Sequence, residues 1–439
     1  MGFKVIIVGG GLAGLGLAHC LAQAEIDFVV LERSDLLVPK GGASMALWPN
    51  NVRILDQLGL LKAAEDINCE IKYKHNVRKD GSVLQKNNMM ERVGVALGHP
   101  WMCFHRPKLH ELLYKNVPDF ESRILSNKGV STIENTAEGV KVTCTDGSIH
   151  EGSMIVGADG VNSAVRSQMF RSHANPKLAE PFTTSYRALY GCSTWTTDLH
   201  PNTLYEMHGD KISSQVIPGP GIAMFVVYER LPSTVTGSAR YTEEEKAEFA
   251  KAVQDLNVTE TVKFKDIWGA TEWSYFSGLE EGIAETWYTD RAVLVGDTVH
   301  KMTPNVGLGF NSGWQSAATL TNGLRKLLAT NPEPSTEELN SVFREYQGIR
   351  KKNASDMETL SGLYTRVVAW NNPIWKLADQ YITPYIGGDV ALLDLMVVPL
   401  VAKQGNTLDF LDENNYKTGK TPWKNGRTVA QKEVKVDAA

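Results

Sequence analysis

The sequence predicts an α/β protein: a parallel-sheet domain built from non-contiguous segments, a second domain on an antiparallel sheet, and a C-terminal helical region. Three observations predict it. Residues 4–8 form a largely β-branched, apolar run, as in a strand buried on both faces. Leu15, Ala18, Leu21 and Ala22 then follow helical spacing, and Phe28 to Leu31 reads as a second buried strand, which completes a β-α-β unit. From about residue 175 to 280 short runs such as Ile222 to Tyr228 alternate with turns such as Pro218-Gly219-Pro220-Gly221, the texture of an antiparallel sheet. Arg291 to Val295 returns to the buried-strand texture, so the first domain resumes after an insertion. The boundaries read as 1–80, 100–175 and 281–334 for the first domain, 176–280 with part of 81–99 for the second, and 335–439 for the helical region and tail.

Bulk composition narrows the function classes. The 439 residues are too many for one small core. Hydrophobic residues make up 42% and charged residues 22%, the balance of an ordinary globular protein. The net charge is −5 with no basic tract, so no nucleic acid partner is expected. Cys20, Cys69, Cys103, Cys144 and Cys192 are odd in number and without a zinc-type pair, which reads as reduced thiols in a cytoplasmic protein with no bound metal. No secretory signal is visible, and no run reaches the ~18–20 apolar residues of a membrane span. Val390 to Ala402 comes nearest but carries Asp394 and Pro399; it reads as a buried helix, with weak contact to a membrane surface as the alternative. A long helix is expected from Ser335, where Ser335 and Glu338 make a capping box and Leu339, Val342, Phe343, Tyr346 and Ile349 follow helical spacing. The chain is polar from about Gly405, and disorder is expected after Lys424.

The most informative local motif is Gly9-x-Gly11-x-x-Gly14, directly after a strand and opening a helix. Gly9 permits the tight turn, Gly11 lets a pyrophosphate approach the backbone, and Gly14 lets helix and strand pack closely. The helix N-terminus offers unpaired N–H groups and partial positive charge to that pyrophosphate. Glu32 ends the second strand 18 residues beyond Gly14, where its carboxylate can accept ribose hydroxyls of an adenosine. Two further strand-turn segments follow: Ile155 to Arg166, with an Asp159-Gly160 turn, and Ala292 to His300, with a Gly296-Asp297 turn that leads into Thr303 to Gly309. A nicotinamide dinucleotide needs one phosphate-binding turn, whereas a longer cofactor lying extended across a domain needs several.

These three motifs, in this order and at these separations, resemble the flavoprotein monooxygenases of the para-hydroxybenzoate-hydroxylase type over about residues 3–330. Gly42 to Asn50, His105 to Leu109, Leu408 to Leu411 and Thr421 to Trp423 are similar to fungal secondary-metabolite epoxidases of the paxilline type. The resemblance implies a Rossmann-like FAD-binding domain, one non-covalent FAD, and NADPH or NADH as transient co-substrate with O2. It implies that Glu32 holds the adenosine ribose, Arg106 contacts FAD near its ribityl–pyrophosphate portion, Asp159 lies near the pyrophosphate, and Asp297 binds ribityl or pyrophosphate hydroxyls. Gly307 and Gly309 would bring backbone N–H groups to the flavin ring. Ala46 stands where many members have glycine, Leu308 where glutamine is usual, and Phe310 where a small residue is usual; the Phe310 ring must pack against the flavin or into the pocket. Arg187 and Tyr205 fall where the family places an active-site arginine and tyrosine.

The implied reaction is epoxidation or hydroxylation of an electron-rich indole or prenyl double bond in a large apolar fungal metabolite (an indole alkaloid, indole-diterpene or meroterpenoid). Rearrangement of an indole epoxide to a spiro-oxindole would be one outcome. Trp195, Trp268, Trp273, Trp287, Tyr275 and Tyr288 lie in or near the second domain, most as packing and some as candidate lining of an apolar pocket. Competing readings are a flavin-dependent reductase, a halogenase-like enzyme, for which the Trp-x-Trp-x-Ile-Pro motif is missing, and a non-catalytic FAD-binding scaffold.

Overall fold

Val5 to Val8 are buried on both faces because the strand Lys4–Val8 lies inside a six-stranded sheet. The computed structural model describes residues 2–425 except 137 and 172; the tail expected to be disordered, 426–439, lies outside the described residues. Lys4–Val8 pairs in parallel with Asp27–Leu31 on one side and Met154–Gly157 on the other, and Met154–Gly157 pairs in parallel with Ala292–Leu294. Three strands from distant parts of the chain thus end at one edge of the crevice, the arrangement by which open α/β sheets bind ligands. The helix Leu12–Gln23 packs on the helix Gly309–Thr330, where Trp314 Nε1 donates to Leu12 O at 2.9 Å and its indole fills the space that a side chain at Gly16 would take.

The second sheet has eight strands, ordered 300–301, 271–283, 183–193, 222–236, 212–219, 203–209, 73–78 and 83–87. It is antiparallel except where Thr203–Gly209 pairs in parallel with Tyr73–Arg78. This corrects two expected boundaries. Residues 73–80 belong to the second sheet, not the first domain, and Thr271–Ile283 runs through residue 280 without a break. The first segment escaped notice because its inward positions are polar: Lys74 and Asn76 are buried where a strand signal calls for apolar side chains. One face of this sheet is sealed by an apolar cluster in which Leu189, Phe225 and Val227 meet Phe249 and Phe264 of the helices Glu243–Val253 and Phe264–Trp268. The other face looks toward the first domain.

The helix Thr336–Val368 begins with the capping box expected at Ser335 and Glu338. Short helical pieces from Pro373 to Lys403 follow, broken at Gly387 and Gly388, whose φ values are +97° and +57°. In the stretch read as a buried helix, Leu393, Val397, Val398, Val401 and Ala402 are buried, but Leu395 and Met396 are exposed. Among the described residues no single helix is long and apolar enough to cross a membrane.

A buried polar network ties this region to the second sheet. Lys74 Nζ lies 2.6 Å from Glu206 and 2.9 Å from Asp389. Tyr364 donates its hydroxyl to Glu206, Asn76 Nδ2 donates to Asp389 at 2.6 Å, and His208 Nδ1 lies 2.8 Å from Asp379. All five cysteines are free and buried.

Candidate active site

The glycine turn is built as its spacing demands. Gly9 has φ +106°, and a Cβ there would meet Ala158 O at 2.5 Å. At Gly14 the gap is smaller still, 2.0 Å to Gly9 O. Gly11, by contrast, has nothing within 4 Å of its missing Cβ and opens onto a cavity at the N-terminus of the helix Leu12–Gln23. Glu32 accepts from Gly10 N at 2.7 Å and from Ser34 N at 2.8 Å, so its carboxylate pins this turn to the end of the second strand.

Seven of the residues expected to bind cofactor (Gly11, Ala46, Arg106, Asp297, Gly307, Gly309 and Phe310) line one cavity of about 490 Å³ between the first domain and the second sheet. Arg106 makes no ion pair or hydrogen bond through its guanidinium among the described residues. It begins the helix Arg106–Lys115 and offers the cavity an unmatched cation. Asp297 is half-buried and paired with Lys301. Burial opposes its ionisation, but Lys301 first, and then Arg106, outweigh that and hold the carboxyl below its ordinary value. The Phe310 ring turns edge-on to Trp314, with centroids 5.1 Å apart.

The helix Gly309–Thr330 starts at the cavity, so its first N–H groups and its partial positive charge face the space. Asn311 fixes this corner: its Oδ1 accepts from Trp48 N at 2.8 Å, and its Nδ2 donates to Ala46 O at 2.9 Å and Gly307 O at 2.7 Å. Gly307 sits at φ +70°, and a Cβ there would fall 2.6 Å from the Cβ of Ala46. The methyl group that replaces the usual glycine at 46 therefore makes glycine at 307 obligatory. Behind the helix, Arg350 is fully buried and donates to Ser312 O at 3.2 Å and Ser312 Oγ at 3.0 Å. Burial first, then Arg350, lower His300 to about 4, so His300 is neutral at pH 7.

Much of the lining is apolar and aromatic: Trp101, Leu204, Ile217 and Trp273, with Met302 and Val306 beside Gly309 and Gly307. Gln215 is one of several polar lining residues, with Arg240, Ser277 and Glu280. Its Nε2 donates to Glu206 Oε1 at 2.8 Å and Asn305 O at 2.9 Å, and its Oε1 accepts from Tyr228 at 3.0 Å. Sequence reasoning missed Gln215, Lys301 and Trp101. Of the aromatic residues singled out, Trp273 and Tyr275 reach the cavity, whereas Trp195 and Trp268 pack on the far face of the sheet and Trp287 lies in the first domain's core.

Two assignments are corrected. Arg187 does not enter the cavity. It pairs with Glu229 at 2.6 Å on the sealed face of the sheet, with its guanidinium 5.1 Å from the centre of the Phe249 ring and 5.3 Å from that of Phe276. Successive strand residues point to opposite faces, and on Thr183–Ser193 it is Tyr190 that lines the cavity, which puts Arg187 on the other side. Tyr205 fails for the same reason: Leu204 lines the cavity, while Tyr205 joins the sealed cluster and its hydroxyl accepts from His200 N at 2.8 Å. Asp159 sits beside the Gly9 turn, and its carboxylate accepts from Ser163 Oγ at 2.6 Å and from Ala164 N at 2.7 Å to start the helix Ala164–Met169. Its neighbours Gly160, Val161 and Asn162 line the cavity.

A glycine cradle at a helix N-terminus, followed by a cavity with an unmatched arginine, an Asp–Lys corner and a second helix N-terminus, fits a long dinucleotide with phosphates at one end and a polar ring at the other. That defines a dinucleotide-binding oxidoreductase architecture. The sequence of residues 2–342 matches the family described as FAD binding domain. The FAD-dependent monooxygenase srdH of Neurospora crassa is 35% identical, over 96% of this chain and 99% of that protein. The FAD-dependent monooxygenase ausM of Penicillium brasilianum is 33% identical, over 88% of this chain and 83% of that protein. Among solved structures, Klebsiella pneumoniae HpxO complexed with FAD and uric acid shares the fold with a TM-score of 0.74 at 18% identity, covering 91% of this chain and 96% of HpxO. The chain belongs to the FAD-dependent monooxygenases of this FAD-binding family, and FAD is its cofactor.

Proposed function

We propose that this chain uses NAD(P)H and O2 to epoxidise or hydroxylate an electron-rich double bond, indolic or prenyl, in a large apolar fungal secondary metabolite, and that it holds FAD without a covalent link. One observation carries the substrate class: the cavity has an apolar wall that includes Trp101, Leu204, Ile217 and Trp273, with Gln215 held in place among its polar lining residues. Such a wall binds a polycyclic apolar molecule by area and orients it with few hydrogen bonds. Bound flavin, reduced by NAD(P)H, supplies the oxygen activation. The chain's own residues do the rest. Gly11 and the first turn of Leu12–Gln23 would hold the pyrophosphate, Arg106 and Asp297 the ribityl–phosphate portion, and the N-terminus of Gly309–Thr330 would stabilise negative charge on the reduced ring. Gln215, locked by Glu206, Asn305 and Tyr228, presents a pre-set amide edge to the substrate. The apolar wall excludes water from the reacting atoms.

The experiment is turnover under oxygen-18 gas with prenylated indole candidates and NADPH or NADH, read by mass spectrometry. One labelled oxygen per product supports the reading; product without label refutes it and leaves a flavin-dependent reductase.

A further inference from the structure

The segment from Pro373 to Ala402 presents an outer face that the rest of the fold does not explain. Of the fifteen large hydrophobic side chains most exposed among the described residues, eight lie between Ile374 and Met396. Ile374, Leu377, Tyr381, Tyr385, Ile386 and Leu395 are 57–85% exposed. Singly exposed apolar residues are ordinary, but so dense a group marks a contact surface.

The charges of the segment identify the partner. Asp379 is buried, 2.8 Å from His208 Nδ1, and also accepts from Trp370 Nε1 at 2.7 Å. Asp389 is buried against Lys74 at 2.9 Å and Asn76 at 2.6 Å. Both acids point inward and are neutralised by the second sheet. Lys376 is paired with Asp210 at 3.0 Å and Asp394 with Arg92, which places ion pairs at the two ends of the face and none within it. Apart from the paired Lys376 and Asp394, the exposed residues of Pro373–Ala402 are apolar, glycine, proline or tyrosine. A surface with no charge to match complements hydrocarbon. Two helical pieces, Pro373–Ile386 and Gly388–Lys403, meet at 82° and together, but not singly, have the length and apolar composition of a bent membrane segment. That geometry suits shallow insertion. Tyr381 and Tyr385 have an apolar ring and a polar tip, the side-chain form enriched at headgroup depth.

We propose that Pro373–Ala402 is a monotopic lipid contact whose outer face enters the headgroup–acyl boundary of a bilayer. Its inner face already packs with the cavity: Leu393 and Val397 share one apolar cluster with Trp101, Leu204 and Ile217. Lipid binding stands without the substrate assignment. Its consequence, delivery of a membrane-dissolved substrate to the cavity, rests on that assignment.

The test is flotation of the FAD-loaded protein with vesicles of uncharged phosphatidylcholine at low and high salt, beside the variant Ile374→Asn/Tyr385→Ser/Leu395→Asn. The wild-type protein floats at both salt levels, because the contact is apolar. The variant keeps its flavin and its denaturation midpoint but partitions at least roughly tenfold less well, because three apolar side chains no longer leave water. Wild-type protein that stays in the aqueous phase, or a variant that floats equally well, overturns the proposal. So does a wild-type dimer that ignores vesicles and is dispersed by the same substitutions in light scattering, which would make a second copy the occupant. None of these readouts involves turnover, so their failure is distinct from failure of the monooxygenase reading.

Discussion

Glu206→Gln should destabilise the fold by about 3 kcal/mol, the lower end of the range for removing one partner of a buried ion pair. The carboxylate is fully buried and receives Lys74 at 2.6 Å, Gln215 at 2.8 Å and the Tyr364 hydroxyl, with His208 Nε2 at 3.4 Å. A glutamine fits the space but loses the charge and turns an NH2 toward donors. The loss stays near the lower bound because Lys74 keeps Asp389 and His208 keeps Asp379. Three kcal/mol is roughly two orders of magnitude in the unfolding equilibrium. Urea titration followed by tryptophan fluorescence measures it, and an unchanged slope shows that stability alone has moved. Glu243→Gln, at a side chain 83% exposed, is the control and should change little. The same network sets a pH dependence. Burial would lower the His208 pKa, but Asp379 and Glu206 together raise it to about 10. The folded state therefore keeps a proton that the unfolded state releases near 6.5, and this stabilisation, complete below 6.5, is lost as pH rises through about 10. Glu206 and Asp379 are held below their ordinary values by Lys74 and His208 against the cost of burial, so their contribution is present above the ordinary carboxylate range and lost in acid. Wild-type stability should fall between pH 7 and 10, and the fall should shrink in Glu206→Gln. A change below about 1 kcal/mol, with an unaltered alkaline limb, would refute the claim that this network clamps the C-terminal region to the sheet.

Asp297→Ala should lose bound FAD or flavin reduction while unfolding near the wild-type midpoint, because Asp297 faces the cavity and not the core; absorbance of the retained flavin and a denaturation curve check it. Arg187→Ala should keep coupled oxygenation and lose about 1–2 kcal/mol of stability from its ion pair and its contacts over Phe249 and Phe276; hydrogen peroxide released in place of product would restore it to the site. Gly14→Ala should reverse the usual gain of alanine over glycine in a helix: its Cβ would stand 2.0 Å from Gly9 O, so flavin affinity and stability should both fall, and a gain in thermal midpoint would contradict the packing.

The parts of the site legible in the sequence are those dictated by backbone geometry. Gly9, Gly11 and Gly14 are spaced by the strand-to-helix turn itself, so their roles follow from chain order. The Gly296-Asp297 turn and Gly307 were legible for the same reason, and the Ser335 helix start because capping is local. The strand Tyr73–Arg78 was not legible as part of the second sheet, because it carries Lys74 and Asn76 inward to meet Asp389, more than 300 residues away. A local apolar pattern cannot report a buried position whose partner is an ion from the far end of the chain. Lys301 was hidden for a related reason, since an i,i+4 pair with Asp297 looks like any surface pair until the cavity is seen around it.

Arg187 and Tyr205 show where a motif's reach ends. A family position locates a residue along a strand, but the side chain's face is set by the strand's phase against its neighbours, and a shift of one residue inverts it. The phase was written in the chain. Leu189 shares the side of Arg187, and it is buried among Phe225, Phe249 and Phe276; Tyr190 takes the other side and meets the cavity. A strand that separates a helix-covered face from a cavity must carry its most apolar residues toward the helices and its adaptable polar–aromatic residues toward the ligand. Tyr190 and Gln215, with Ser277 and Glu280, are polar residues of this sheet that line the cavity, whereas Arg187 braces the sheet against Phe249 of the helix Glu243–Val253.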